Sequence, residues 1–168
     1  MLRKVISFDP SIKKTGVAFF EGPELVCWNL FTPKTDLKPH ERIDSLIESV
    51  IKAIQYFGPD LCLVEMTTGK VNRGRHGGGG AGLSTYGMAV GAVYAACWSR
   101  CEVQGVDDNH WTRGVPKRTR QLAVEGSHKM YRDAIRRIPT FDAGADISDA
   151  IGLFEWWKTD CLLRETSM

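Results

Sequence analysis

The chain has 168 residues, 43% of them hydrophobic and 25% charged, a composition that fits one globular domain spanning residues 1–168 and excludes a disordered, fibrous or coiled-coil chain. Net charge is only +2, yet residues 66–140 carry +7 and the remainder −5, so a basic surface and a separate gathering of carboxylates are expected. The basic stretch reads either as a face for a polyanion such as nucleic acid or as a solvated helix face.

The apolar runs are all shorter than the roughly 18 residues of a membrane span, and MLRKVISFDP carries too short a run for a secretion signal. The chain is therefore read as cytoplasmic, with no membrane partner. Its five cysteines are odd in number and lack paired two-residue spacing, which favours buried thiols over a disulfide framework or a zinc site.

In chain order, Lys4 to Phe8, Thr15 to Phe20 and Leu25 to Leu30 read as strands joined by tight turns, an antiparallel meander. From Pro39 to Phe57, apolar residues at three-and-four spacing predict a helix, with Asp36 as a candidate cap and Gly58-Pro59 as the stop. Leu61 to Val64 reads as a buried strand ending in Glu65. A glycine-rich stretch of about 18 residues follows, then a small-residue helix from Ser84 to Arg100 and a strand from Val103 to Val106. Lys117 to Ile138 reads as a basic helix interrupted near Gly126-Ser127, and a last helix starts near Ala145. A meander followed by alternating helices and strands predicts an α/β fold, a mixed sheet with helices on both faces.

Asp9 and Glu65 each follow an apolar strand, so both belong at the rim of a sheet, where open α/β sheets place ligands. On a wheel of about 100° per residue, Asp146 points into the apolar arc of the last helix and Asp149 lies on its edge. The alternative is that aspartates in a first turn serve the helix dipole, which Asp142 or Asp149 could do from an exposed position. If the two strands are neighbours and the helix covers their ends, four carboxylates meet, which requires cations. Hard oxygen ligands favour Mg²⁺ or Mn²⁺, and a pair of such ions roughly 3.5 to 4 Å apart is an arrangement that cleaves phosphodiesters.

The strings ISFDPSIKKTGVAFFEG, LVEMTTG and ADISDAIGLFEWW resemble, in order and spacing, the three acidic motifs of RuvC-type Holliday junction resolvases, members of the ribonuclease H-like superfamily. The resemblance covers nearly the whole chain. It implies a ribonuclease H-like mixed five-stranded sheet and makes Asp9, Glu65, Asp146 and Asp149 catalytic metal ligands for two Mg²⁺ ions, with Mn²⁺ as substitute. WTRGVPKRTRQLAV is similar to the family's basic motif, which makes Lys117 the basic residue near the active site and puts Arg113, Arg118 and Arg120 toward DNA. Gly16 matches the glycine of the first hairpin. The implied activity is a homodimeric endonuclease, resolving four-way junctions in recombination and repair by symmetric nicks that leave 5′-phosphate and 3′-hydroxyl ends.

After Glu65 the chain departs from the family, which carries stacking aromatics there; Tyr86 is the only aromatic in TTGKVNRGRHGGGGAGLSTYG. Lys70, Arg73, Arg75 and His76 can instead grip phosphates, or the stretch can serve as a flexible connection. Gly77, Gly79 and Gly82 imitate a dinucleotide fingerprint, but they lie too far from the preceding strand, and Leu83 stands where a P-loop needs its lysine, so no nucleotide cofactor is expected. His110 and Trp111 can touch DNA or serve the core, as can Trp156 and Trp157 the core or a dimer surface. The rival functions are a nuclease of the same fold cutting flaps or other branches, a non-catalytic DNA-binding protein and an actin-like ATPase, whose two-domain architecture exceeds this chain.

Overall fold

The structure is a computed structural model and describes residues 3–67, 79–136 and 141–165. Strands β1 (Lys4–Asp9), β2 (Thr15–Glu21) and β3 (Glu24–Phe31) form the expected meander. Helix α1 (Pro39–Phe57), strand β4 (Leu61–Met66), helix α2 (Gly79–Trp98) and strand β5 (Glu102–Asp107) follow, then helices α3 (Asp108–Thr112), α4 (Lys117–Ser127), α5 (Lys129–Arg136) and α6 (Phe141–Glu165).

The five strands make one mixed sheet in the order β3-β2-β1-β4-β5, with β4 parallel to both β1 and β5. The central strands are covered on both sides, which is why LCLV reads as an unbroken apolar run and VISF is interrupted only by Ser7, whereas β3 at the edge alternates. Successive side chains of a strand face opposite ways. Ile6, Phe8, Val17, Phe19, Cys62 and Val64 therefore pack on Leu46, Val50 and Ile54 of α1 and on Ala89, Val93 and Ala96 of α2. Val5, Ala18, Phe20, Leu61 and Leu63 pack on Ile147, Ala150, Ile151 and Phe154 of α6 and on Tyr131 and Ala134 of α5. Among the described residues no helix is long and apolar enough to cross a membrane.

Several local expectations change. Helix α1 is capped by Glu41 reaching back to the Lys38 N–H at 2.6 Å, not by Asp36, while Gly58 closes it as expected in the left-handed conformation. The α2 helix stops at Trp98, so Cys101 lies beyond it, although its thiol still meets Cys62, Sγ to Sγ 3.4 Å. Helix α3 has no counterpart in the expected order. The basic helix is two, α4 and α5, with His128 between them in extended conformation.

Two contacts fix α6 on the sheet. The buried Ser7 hydroxyl donates to the Ala150 carbonyl at 2.6 Å, so a polar group inside β1 is satisfied by the helix that covers it. Gly16, paired with Asp9 across β1 and β2, abuts the helix at Asp146; a Cβ there would run into the Asp146 carbonyl. Only glycine lets the helix come so close.

Candidate active site

Asp9 ends β1 and Glu65 is the last but one residue of β4, and the register Phe8 to Val64 makes the two neighbours. Strand alternation puts both on the α6 face, with Ser7 and Leu63. From α6, Asp146 and Asp149 are three residues apart and so share one side of the helix. The four line a cleft of about 470 Å³ together with Tyr86, Thr112, Lys117 and Arg120.

Cations meet them from α4. Lys117 Nζ lies 2.8 Å from Asp146 Oδ1, 3.1 Å from Asp149 Oδ2 and 3.9 Å from Asp9 Oδ2. Arg120 donates to Asp149 Oδ1 through Nη2 at 3.0 Å and Nε at 3.2 Å. Basic residues near the start of a helix oppose its dipole, and Lys117 and Arg120 offset that through the carboxylates opposite. The sharp turn into α4 uses Arg113 and Gly114, both in the left-handed conformation.

Burial raises the Asp9 carboxyl well above its ordinary value, and the Glu65 charge adds to it while Lys117 opposes. Glu65 is pushed up to about 7, by burial first and then by Asp149. Asp146 is raised by burial against the pull of Lys117. For Lys117, burial acts downward but Asp9, Asp149 and Asp146 outweigh it, so the ammonium is held charged. The cluster is thus short of positive charge even with two cationic side chains beside it.

Among the described residues no group of three or more acidic, histidine or cysteine side chains stands in ready metal-ligating geometry. The Lys117 ammonium lies among three of the four carboxylates, a position that a shared cation would take. The donors nevertheless fit a hard divalent ion: they are carboxylate oxygens that burial makes reluctant to ionise alone. Thr112 lines the same cleft, 5% exposed, and among the described residues its buried hydroxyl has no hydrogen-bond partner.

Asp149 is the deeper aspartate of α6, its side chain 5% exposed against 19% for Asp146, the reverse of the wheel, because Arg120 covers it. Arg120, expected toward DNA, points inward to Asp149, whereas Arg113 and Arg118 are exposed. Lys70, Arg73, Arg75 and His76 lie outside the described residues. Sequence reasoning missed the part of Trp111, whose indole N–H donates to Glu65 Oε2 at 3.1 Å; its place as the first residue of WTRGVPKRTRQLAV was the available signal. Trp156 and Trp157 pack at the margin of the core, Trp157 donating to Gln104 at 3.1 Å.

No protein-family model and no curated protein sequence matches the chain. Solved structures do. RuvC of Thermus thermophilus in complex with a Holliday junction substrate is similar with a TM-score of 0.62 and 17% identity over 90% of this chain and 89% of that one. A second Thermus thermophilus RuvC structure gives 0.62 and 16% over 93% and 95%. The yeast mitochondrial Holliday junction resolvase Ydc2 gives 0.63 and 13% over 94% and 81%. With the same sheet and flanking helices along nearly their full lengths, this chain has the α/β fold of the RuvC-type resolvases.

Proposed function

We propose that this protein is a divalent-metal-dependent endonuclease that resolves four-way DNA junctions by paired symmetric nicks, acting as a homodimer. The observation that carries the reading is the meeting of Asp9, Glu65, Asp146 and Asp149 in one cleft at the end of the parallel strands, three of them on the Lys117 ammonium. A protein that only bound DNA would gain nothing from four carboxylates beside its phosphates.

Those four carboxylates would hold two Mg²⁺ ions, or Mn²⁺ in their place. When bound, such ions supply an activated water and neutralise charge on the leaving oxygen. The chain's own groups do the rest. Lys117, its side chain 43% exposed, is free to follow a phosphate at the cleft mouth, where an ammonium stabilises charge developing on phosphate oxygens. The exposed Arg113 and Arg118, at the turn into α4, lie where the flanking backbone would pass, and Lys70, Arg73, Arg75 and His76 extend the basic surface in sequence.

The dimer reading is supported by α2, which exposes Met88 beside Gly87 and Gly91, both with open space in front of them. Paired nicks require two centres held at a fixed spacing, which a symmetric dimer supplies. The altered stretch after Glu65 favours a second reading, cutting of flaps or other branches by the same centre.

The test presents labelled four-way junction, flap, duplex and single strand to the protein in Mg²⁺ or EDTA. Symmetric nicks confined to the junction, lost in EDTA, are expected. Equal cutting of flap and junction would keep the centre and demote junction selectivity, and binding without cutting in either Mg²⁺ or Mn²⁺ would overturn the nuclease reading.

A further inference from the structure

Two of the carboxylates are held by groups that the acidic motifs do not account for. Trp111, on the five-residue α3, is 8% exposed and gives its indole N–H to Glu65. Arg120 of α4 lays its guanidinium over that ring, 4.8 Å from the centroid, with Nε and Nη2 on Asp149 and Nη1 on the Val115 carbonyl at 2.7 Å. Glu65 on β4 and Asp149 on α6 are thereby linked to each other through two side chains from outside both elements.

The ring's own place is set from α6. A Cβ on Gly152 would lie 3.1 Å from Trp111 Cζ3, tighter than most real contacts, so the absence of a side chain there fixes how far the indole reaches toward Glu65. Arg120 is equally constrained: a backbone carbonyl, an aromatic face and a carboxylate take its three sides, and its side chain is 16% exposed. Lys117, by contrast, touches three carboxylates and is 43% exposed, which leaves it free to move away.

A neutral N–H orients a carboxylate without cancelling its charge, which keeps the oxygen available to a cation. An arginine fork held by stacking does the same for direction while sharing its charge among several acceptors. We propose that Trp111 and Arg120 are positioning residues, holding Glu65 and Asp149 at the spacing a divalent cation needs, so that cation affinity depends on them more than the fold does. The inference rests on the metal-dependent reading above.

Its test is calorimetric titration of Mn²⁺ into the full-length protein, wild type, Trp111→Phe and Gly152→Ala, with thermal melts in EDTA. Trp111→Phe keeps a ring and loses the N–H. Loss of a partner that orients a ligand typically weakens metal binding about 10- to 100-fold, and about tenfold is expected here. Gly152→Ala removes no contact atom and improves helix propensity, while its Cβ presses on the indole at 3.1 Å, so it should stay folded at the titration temperature yet bind Mn²⁺ several-fold more weakly. A purely structural tryptophan would give the opposite pattern, altered melting with unaltered affinity.

Should Trp111→Phe unfold before titration, Gly152→Ala decides alone. Wild-type Mn²⁺ affinity in the folded variants would overturn the positioning role and leave the metal centre standing. A wild-type protein that takes up no Mn²⁺ would overturn the metal-dependent reading and this inference with it.

Discussion

The two faces of the sheet are built from alternate residues of the same strands and do opposite work. Toward α1 and α2 the strands present Ile6, Phe8, Val17, Phe19 and Val64, an apolar layer whose burial stabilises the fold. Toward α6 the same strands present an apolar layer too, Val5, Ala18, Phe20, Leu61 and Leu63, but that layer is interrupted by Ser7 and ends in Asp9 and Glu65, which the helix answers with Asp146 and Asp149. That face gives up stability to hold negative charge in a cleft, the pattern of a site under functional constraint. The comparison teaches that a shift of one residue in strand register would carry Asp9 and Glu65 away from α6 and into the apolar layer under α1 and α2.

The widest separation of the two faces comes from pairing one substitution on each. Asp9→Asn should lower junction cutting by at least about a thousandfold, roughly 4 kcal/mol of barrier, while junction binding in EDTA is largely spared. An Asp9→Asn protein cutting at the wild-type rate would remove that residue from the centre. On the other face, Leu46→Ala should cost about 2 to 5 kcal/mol in urea unfolding, with the folded fraction cutting as before; an unchanged midpoint would mean that α1 is not part of the core.

The cost carried by the α6 face has a pH signature. Glu65 titrates near 7 in the folded chain against an ordinary 4.5, so the folded state holds its proton more tightly than the unfolded state does. The Glu65 share of metal-free stability therefore falls as pH rises from about 4.5 through about 7, and the raised Asp9 and Asp146 carboxyls add losses of the same sign. Glu65→Gln should flatten that slope and be more stable than wild type at pH 8 in EDTA, while cutting nothing. Parallel wild-type and variant curves between pH 5 and 8 would show that the buried charge is not where stability is lost.

The smallest expected effect belongs to Lys117. Lys117→Ala should slow single-turnover cutting about 10- to 100-fold, roughly 1.4 to 2.7 kcal/mol, since the carboxylates remain and only a movable cation is lost. An unchanged single-turnover rate would take Lys117 out of the chemistry.

Asp9 and Glu65 were legible because each closes an apolar run, and strand alternation then dictated the face. The aspartates of α6 were legible as a pair, but their depths were not. A helical wheel knows its own helix and nothing of α4, whose Arg120 covers Asp149. The role of Trp111 was hidden for a related reason: α3 is too short to show periodicity, and the indole is aimed by packing on Gly152. The α1 cap went to Glu41 because a carboxylate three residues into the helix reaches the Lys38 N–H directly, which Asp36 does not.

The most direct measurement is the anomalous difference map of a Lys117→Met crystal grown with Mn²⁺, beside a wild-type crystal in the same salt. Two peaks among Asp9, Glu65, Asp146 and Asp149, with the wild-type Lys117 ammonium displaced from between the carboxylates, are the expected result. No peak in either crystal, with Lys117 still bridging Asp146 and Asp149, would contradict a metal-dependent nuclease built on this centre.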